Sequence, residues 1–534
     1  MIKNITKNGN YITVQLTDPL TLRQIVEEVV NETPVIDIHT HLYAPEFGKL
    51  NLFGIDEILT YHYLVAEMFR YNDIKPEQYW QLTKEQRAEI IWKTLFVENT
   101  PLSEASIGVL TILKELGIDP NTTDLEEIRQ FFKAQNISEY VTRIFEISGV
   151  SEVIMTNDPF DAEETEIWES NLALNKNFHA ALRMDRMLNN WKTASVEMKQ
   201  AGFAVEEKLN DKTIRETRRF LDKWINKMKP LYMAVSLPDD FSYFANDTRN
   251  QLIQKVVLPI AEEYELPFAL MIGVRRSVNP ALRVAGDGVG RADVKSLEKL
   301  CAESPDVRFL ATFLSRENQH ELCVSARKFS NLMPFGCWWF LNNPSIISEI
   351  TRERIELLGT SFIPQHSDAR VLEQLIYKWK HSRKIIAGKS GFVGIFNRHV
   401  EPRQTQRSAG ASKSHLDLLS ASQPNRPRGE DNERCRTASC HRGDQTAQGG
   451  GRRRRHAILS RGLCCDQRAA PAAPAGWPGV VDHRGVAAGK AQGQAAPGDQ
   501  RQCRGIVAGT EARAASREYG REHHPVAVLD QDVG

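Results

Sequence analysis

Long apolar runs, a signal-like segment and CxxC cysteine pairs are all missing from this sequence of 534 residues. No stretch reaches the roughly 18 uninterrupted apolar residues that a membrane-spanning helix needs. The first residues, Met1–Asn8, lack the apolar core of a signal peptide. Only Cys301, Cys323 and Cys337 precede residue 389, and no CxxC pair occurs. These absences predict a cytoplasmic protein with no disulfide framework and no membrane partner.

Neither sign of charge is in excess, since 68 Lys and Arg residues balance 68 Asp and Glu residues. A balanced chain gives no reason to expect nucleic acid as the main partner. The average hides a break, because after Glu401 the only aromatic residues are Trp477 and Tyr519, and arginine outnumbers lysine 19 to 2. Such a segment cannot bury enough apolar surface to offset chain entropy. Residues 388–534 are therefore predicted to be a disordered tail, separate from a domain formed by residues 1–387.

Short apolar runs alternate with amphipathic helical stretches in that domain, which is typical of a parallel α/β protein. Eight candidate strands can be placed: Val35–His41, Val153–Asp158, His179–Asp185, Tyr232–Leu237, Phe268–Val274, Arg308–Leu314, Leu332–Trp338 and Phe362–Asp368. Eight β/α units favour a closed (β/α)8 TIM-type barrel. The alternative, an open doubly wound sheet, would more naturally carry a glycine-rich phosphate turn after its first strand, and none is present.

A long insertion, residues 42–151, separates the first two predicted strands. It is predicted to be helical over Ile55–Phe69, Pro76–Gln81, Lys84–Phe96, Glu104–Leu116 and Leu125–Gln135. Because it follows the carboxyl end of a strand, it lies on the face of the barrel where active sites are found, and we expect it to cap or complete the pocket. The alternative is a helical subdomain that serves only packing or oligomer contacts.

The motif His39-Thr40-His41 ends the first predicted strand. Alternate side chains of a strand point to the same side, so both imidazoles face the mouth of the barrel. Two neutral imidazoles in that place are suited to binding a divalent metal. Taken alone, the pair is also compatible with ordinary hydrogen-bonded histidines.

Asp368 ends the eighth predicted strand and precedes Arg370 by two residues. In a closed barrel the eighth strand lies beside the first, so Asp368 can complete a three-ligand metal site with His39 and His41. An aspartate two residues before an arginine is also a common capping or ion-pair arrangement at the start of a helix. The combination with the histidines of the first strand favours the metal site.

Five segments carry a resemblance to a known family: Pro34–Leu42, Leu59–Leu64, Phe178–Asp185, Phe335–Phe340 and His366–Arg370. The first resembles the opening of an amidohydrolase-superfamily barrel. In order and spacing, the five together resemble the uronate isomerases, in particular the compact bacillus-like branch of that family. The resemblance covers about residues 25–387.

The resemblance implies a homo-oligomeric enzyme of hexuronate catabolism whose partner is a small-molecule hexuronate. It implies interconversion of D-glucuronate with D-fructuronate, and of D-galacturonate with D-tagaturonate. The alternative is a mononuclear metal-dependent hydrolase of the same superfamily. The fourth and fifth strands end in Ser236-Leu237-Pro238 and Met271-Ile272-Gly273, without the further ligands that a binuclear hydrolase needs. One divalent metal, zinc, is expected, either weakly bound or not essential.

An aldose–ketose isomerase needs a base that moves a proton between C2 and C1 and a cation that stabilises the enediolate. Asp368 is the natural base, and Arg370 is placed to stabilise the enediolate. The resemblance implies that His62 and Tyr63 contact the substrate, with Tyr63 as a candidate proton donor. The alternative for this pair is simple packing of a helix.

Three further side chains are candidates for substrate binding. Arg183 resembles the family's carboxylate-binding arginine, although it could instead pair with Asp185. Arg316, at the end of the sixth strand, faces the substrate or makes a surface ion pair with the adjacent Glu317. Trp338 and Trp339 point to opposite sides of the seventh strand, and Trp338 is predicted to line the pocket.

The tail has one pronounced feature, Gly449–Gly451 followed by Arg452–Arg455. An arginine run can bind nucleic acid, but a disordered segment is the simpler interpretation. The abrupt change from lysine to arginine, with more alanine, glycine and proline, favours a third hypothesis, an altered reading frame or a fusion that replaced the native C-terminus. Sequencing the gene across the codons for residues 380–395 tests it, since a continuous frame would count against it.

Overall fold

The computed structural model describes residues 5–8, 11–14, 19–388 and 405–408, with side-chain surroundings for residues 23–388. Of the predicted tail, Thr405–Ser408 forms a strand that pairs antiparallel with Tyr11–Val14, which pairs in turn with Ile5–Asn8. Almost all of the remaining tail, including the arginine run, lies outside the described residues, so its disorder and its origin stay predictions. No helix of the described part of the chain is long and apolar enough to cross a membrane.

Seven parallel strands form the main sheet of the described residues, and they pair in the order β7-β6-β5-β4-β3-β2-β1. They are β1 (Val35–Thr40), β2 (Val150–Asn157), β3 (Phe178–Arg183), β4 (Met233–Pro238), β5 (Phe268–Arg275), β6 (Phe309–Phe313) and β7 (Leu332–Pro334). Each overlaps one of the predicted strands. The seventh ends four residues early, where Gly336 adopts a positive φ of 63°. A two-residue strand, Gly288–Val289, pairs antiparallel with the end of β5.

The eighth predicted strand, Phe362–Asp368, is not a regular strand. Its one ladder contact is a parallel bridge between Phe335 and Ile363. Pro364 follows with no N–H to donate, and Asp368 has a φ of 54°, which no β-strand accommodates. The segment nevertheless reaches β1, since the Asp368 amide donates to the His39 carbonyl at 3.1 Å. The sheet therefore curls into a TIM-type barrel whose last position is an irregular segment.

Side chains alternate between the two faces of the sheet along each strand, and the apolar residues therefore form two layers. Ala181, Ala234, Ala269 and Leu310 pack together on one side of the sheet with Tyr232. Their neighbours in sequence belong to larger clusters that also contain the helices. This alternation is the pattern of a barrel whose interior is filled by side chains and whose exterior is covered by helices.

Helices separate the strands as the sequence predicts. Outside the insertion they are Pro19–Glu32, Ala162–Glu169, Asp185–Asn189, Trp191–Gln200, Asp211–Met228, Thr248–Leu252, Leu258–Glu263, Lys295–Glu303, Gln319–Ala326, Pro344–Leu358 and Gln374–Gly388. Thr248–Leu252 and Leu258–Glu263 are joined by a π-helical turn at Ile253–Val257, just before Pro259, a residue that cannot donate a backbone hydrogen bond.

The insertion after β1 is helical, and its helices are Ile55–Leu59, His62–Met68, Pro76–Tyr79, Lys84–Trp92, Glu104–Leu116, Leu125–Lys133 and Ile137–Ser148. The last of these was not predicted. The predicted helix Ile55–Phe69 is two helices, because the chain turns extended at Tyr61. This break places His62 and Tyr63 in the first turn of a new helix. The insertion packs against the last helix, where the Tyr377 ring lies directly over Gly108.

Asp37 connects β1 to the irregular eighth segment and to the last helix. Its carboxylate is fully buried and accepts hydrogen bonds from the Ser367 amide at 3.0 Å and from the Trp379 indole N–H at 2.7 Å. Burial raises the pKa of Asp37 to about 6, although both hydrogen bonds act in the opposite direction. The bond to Ser367 fixes the residue next to Asp368, so Asp37 helps to hold Asp368 at the end of β1.

Candidate active site

His39, His41 and Asp368 meet at the carboxyl end of β1. One ligand atom from each lies within 4.8 Å of the others. The Asp368 Oδ1 atom is 3.6 Å from His39 Nε2 and 3.4 Å from His41 Nε2. The prediction that β1 and the eighth segment place these three residues side by side agrees with the structure.

The tautomer of His39 follows from its hydrogen bonds. Its Nδ1 lies 3.1 Å from the Tyr232 hydroxyl, and that hydroxyl donates its one proton to the Ile38 carbonyl at 2.8 Å. Tyr232 can therefore only accept from His39, so the proton of the imidazole is on Nδ1. The lone pair is on Nε2, which is buried and has no hydrogen-bond partner.

His41 is held in the same way by a different strand. Its Nδ1 lies 2.9 Å from Thr156 Oγ1, and Thr156 donates to the Thr40 carbonyl at 3.0 Å. The threonine hydroxyl must accept from His41, which again leaves the lone pair on Nε2. Both imidazoles thus direct a lone pair toward the Asp368 carboxylate.

The atoms that these three residues direct toward one another are all hydrogen-bond acceptors, and none of them carries a proton to donate. Burial lowers the pKa of His39 to about 3, and burial and Arg370 lower the pKa of His41 well below its usual value. Asp368 Oδ1 is buried and has no hydrogen-bond partner among the described residues. Two lone pairs and a carboxylate oxygen at this distance repel one another unless a cation lies between them. The residues therefore fit a divalent metal, and their nitrogen and oxygen donors fit zinc chemistry.

A cavity opens beside this cluster at the mouth of the barrel. Its lining includes His41, Asp368 and Arg370 together with residues from the insertion and the later strand ends, namely Tyr61, His62, Ser236, Met271, Arg276, Val284, Trp338 and Trp339. The predicted pocket residues Asp368, Arg370, His62 and Trp338 are thus brought to one cavity. Its charged side chains include two arginines, which suit an anionic ligand.

His62 and Tyr63 begin a helix of the insertion, and His62 lines the cavity, whereas Tyr63 is not among the lining residues. The Trp339 indole N–H donates to His62 Nε2 at 3.0 Å. The Tyr63 ring is 4.4 Å from the His62 ring, between centroids, and its buried hydroxyl has no hydrogen-bond partner. Burial and the neighbouring Tyr61 raise the pKa of Tyr63 well above its usual value, so the phenol keeps its proton. The buried Lys378 ammonium lies 5.9 Å from the centre of the Tyr63 ring.

These observations can now be set beside known proteins. No protein-family model and no curated protein sequence matches the chain. Among solved structures, the chain is similar to a uronate isomerase from Bacillus halodurans C-125, with 47% identity and a TM-score of 0.71 over 76% of this chain and 96% of that one. The chain belongs to the uronate isomerase family. The resemblance seen in the sequence is thereby confirmed.

Two more distant structures share the fold. A uronate isomerase from Thermotoga maritima is 15% identical, with a TM-score of 0.58 over 75% of this chain and 94% of that one. A glucuronate isomerase from Caulobacter crescentus is 13% identical, with a TM-score of 0.60 over 80% of this chain and 100% of that one. The barrel predicted from the sequence is therefore a property of the wider set of uronate isomerases.

Arg183, the predicted carboxylate-binding residue, lies at the end of β3 and is buried. Its Nε is 3.1 Å from Asp185 Oδ2. Burial alone would lower the pKa of Arg183, but Asp185 and Asp158 raise it above its usual value. Arg183 is not among the residues that line the cavity, although its charge also lowers the pKa of His39. Its contact with the substrate stays a prediction for this member of the isomerase family.

Arg316 is another predicted site residue that does not line the cavity. Its side chain is 54% exposed and pairs with Glu349 at 2.8 Å. The alternative of a surface ion pair is therefore correct, but the predicted partner Glu317 is wrong, since its carboxylate accepts from the Ser315 hydroxyl instead. Arg276 lines the cavity, although it was not predicted as a site residue. Its guanidinium lies 5.9 Å from the centre of the Trp339 ring. The signal was the pair Arg275-Arg276 directly after the fifth predicted strand.

Proposed function

We propose that the protein is an aldose–ketose isomerase that interconverts D-glucuronate with D-fructuronate, and D-galacturonate with D-tagaturonate. The observation that carries this proposal is the position of Asp368. Its carboxylate lies at the cavity between the two imidazoles and Arg370, in a chain that belongs to the uronate isomerases. The arginines around it favour a substrate with a carboxylate group.

The two oxygens of Asp368 are suited to separate tasks. Oδ1 faces the imidazoles, whereas Oδ2 makes no hydrogen bond with the described residues and remains for the substrate. We assign to the carboxylate the removal of the proton from C2 of the open-chain aldose. The electron pair of the broken C–H bond then forms the C1–C2 double bond of a cis-enediolate, with the negative charge on O1.

Transfer of a proton from the Asp368 carboxyl group to C1 completes the reaction, and exchange of that proton with solvent before the transfer would introduce deuterium in D2O. The O2 hydroxyl loses its proton as O2 becomes the carbonyl, and O1 gains one, so the atoms of aldose and ketose balance. Arg370 lines the cavity and supplies positive charge for the enediolate. Tyr63, whose phenol stays protonated, is the candidate donor to O1.

A divalent ion would be held by His39, His41 and Asp368, and we propose zinc. When bound, such an ion supplies Lewis-acid polarisation of substrate oxygens. The alternative function, metal-dependent hydrolysis, needs ligands that activate water. Among the described residues these three form the one cluster with metal-ligand geometry. The ends of β4 and β5 contribute Ser236 and Met271 to the cavity, which favours the isomerase.

The decisive experiment is incubation of the full-length protein with D-glucuronate in D2O, followed by NMR. We expect a ketose to form and solvent deuterium to accumulate at C1 of the ketose and at C2 of the recovered aldose over many turnovers. Formation of the ketose without any deuterium, even after many turnovers, would contradict proton transfer through a carboxyl group that exchanges with solvent. No ketose from either uronate, together with metal-dependent cleavage of an ester or amide, would favour the hydrolase.

Metal binding gives a separate prediction. Tyr232→Phe removes the acceptor that orients His39, and the affinity for Zn²⁺ should fall by roughly 10- to 100-fold, as is usual when a partner of a ligand is lost. The measurement is isothermal titration of metal-free protein with Zn²⁺. His320→Gln is the control, because this exposed histidine pairs with Glu353. Equal loss of affinity in both variants would argue against the site at His39.

A further inference from the structure

Trp339 has a backbone conformation that a large residue rarely adopts. It begins the short 3-10 turn Trp339–Leu341 with a φ of 47°. The left-handed region is unfavourable for a bulky side chain, so surrounding contacts must hold it there. Its ring stacks on Phe340 with a 4.8 Å centroid distance and meets the His62 ring edge-on at 5.6 Å. The residue with the unfavourable backbone conformation is therefore the one whose ring contacts His62.

The hydrogen bond between these two residues determines the tautomer of His62. An indole N–H can only donate, so the Trp339 Nε1–H must donate to a lone pair on His62 Nε2. The neutral imidazole then carries its proton on Nδ1. Burial, Arg370 and Lys378 lower the pKa of His62 well below its usual value, which agrees with a neutral ring.

The remaining nitrogen of His62 has no hydrogen-bond partner among the described residues. Nδ1 makes no hydrogen bond with the described residues, and the side chain lines the cavity beside Arg370 and Asp368. The ring is packed against Tyr61, whose centroid is 4.1 Å away. His62 is therefore held from two sides while its Nδ1–H stays available to a ligand.

We propose that Trp339 is a positioning residue, which fixes His62 in the Nδ1–H tautomer so that His62 donates a hydrogen bond to an oxygen of the bound uronate. This inference rests on the proposed function for the identity of the ligand. It excludes His62 as a proton acceptor in the reaction, because its one lone pair is used by the indole. Proton removal is then left to Asp368, and His62 adds a donor to a site that binds an anion.

Nitrogen NMR of the full-length protein labelled with ¹⁵N-histidine tests the tautomer without any substrate. The resonances of His62 are identified by their loss in His62→Asn. We expect a protonated, pyrrole-like Nδ1 and an unprotonated, pyridine-like Nε2, and we expect Trp339→Phe to produce a mixture of tautomers. Trp338→Phe is the matched control and should leave the His62 resonances in place. A protonated Nε2 in the native protein would overturn the proposal, as would an unchanged spectrum in Trp339→Phe.

Kinetics with the uronate provide the second measurement. Asparagine places its amide group near the position of Nδ1, and glutamine places it near Nε2. His62→Asn is therefore expected to keep a kcat/KM about 10-fold or more above that of His62→Gln, which corresponds to one hydrogen bond to a charged group. Trp339→Phe should lower kcat/KM by about 10-fold. If glutamine is the better replacement, His62 acts through Nε2 and the proposal fails.

The two measurements separate this inference from the proposed function. If neither uronate is isomerised by the native protein but His62 is protonated on Nδ1, the reaction assignment fails and the positioning by Trp339 stands. If the native protein isomerises uronates and His62 is protonated on Nε2, the positioning by Trp339 fails alone.

Discussion

Asp368→Asn should lower kcat for uronate isomerisation by about 10³-fold or more, the range typical of a lost general base. The amide cannot accept the C2 proton, although it has nearly the same size and shape. The backbone should be undisturbed, because asparagine tolerates a positive φ as readily as aspartate does, and the φ here is 54°. The backbone hydrogen bond from the amide of residue 368 to the carbonyl of His39 is also kept.

The measurement is ketose formation under saturating uronate, with circular dichroism to show that the variant is folded. Loss of a metal ligand could also lower activity, so the exchange of the C2 proton with D2O is measured at saturating Zn²⁺ as well. Asp293→Asn is the control, because the carboxylate of Asp293 accepts only from the Lys295 amide at a helix start. Near-native turnover and C2 exchange in Asp368→Asn would remove Asp368 as the base and leave the proposed mechanism without one.

The grouping of His39, His41 and Asp368 could be predicted because it depends on local rules. Side-chain alternation along β1 puts His39 and His41 on one side, and closure of a barrel brings the eighth position next to the first. Neither rule needs detailed packing. The same rules overestimated the regularity of the eighth segment, because they ignore Pro364 and the hydrogen bonds of Asp37, which replace a strand ladder with side-chain contacts.

The rest of the site depends on contacts between residues far apart in sequence. The ion pair of Arg316 needs the position of Glu349 on the helix Pro344–Leu358, and the placement of Arg276 needs the path of the loop after β5. The tautomers of His39 and His62 are set by Tyr232 and Trp339, which lie more than 190 residues away in sequence. Spacing along the chain carries no information about such pairs, so the sequence named the histidines but not their protonation.

Arg370→Lys should lower kcat by about 10²- to 10³-fold while KM changes much less. Lysine keeps the positive charge but loses the planar guanidinium, which can direct two N–H groups at the developing charge of an enediolate. The loss of one such donor from a site that stabilises an oxyanion has this magnitude. Because the enediolate exists only along the reaction path, we expect the substitution to lower kcat and to leave substrate binding nearly unchanged.

Arg316→Lys is the matched control, since it makes the same chemical change at an arginine that is 54% exposed and pairs with Glu349. An exposed ion pair contributes little, so its kinetic constants should stay within about twofold of the native values. Steady-state kinetics on D-glucuronate at several pH values compare the two variants. If Arg370→Lys raised KM and left kcat unchanged, Arg370 would bind the uronate equally in the ground state and the transition state. The positive charge for the enediolate would then have to come from Arg276 or Arg183.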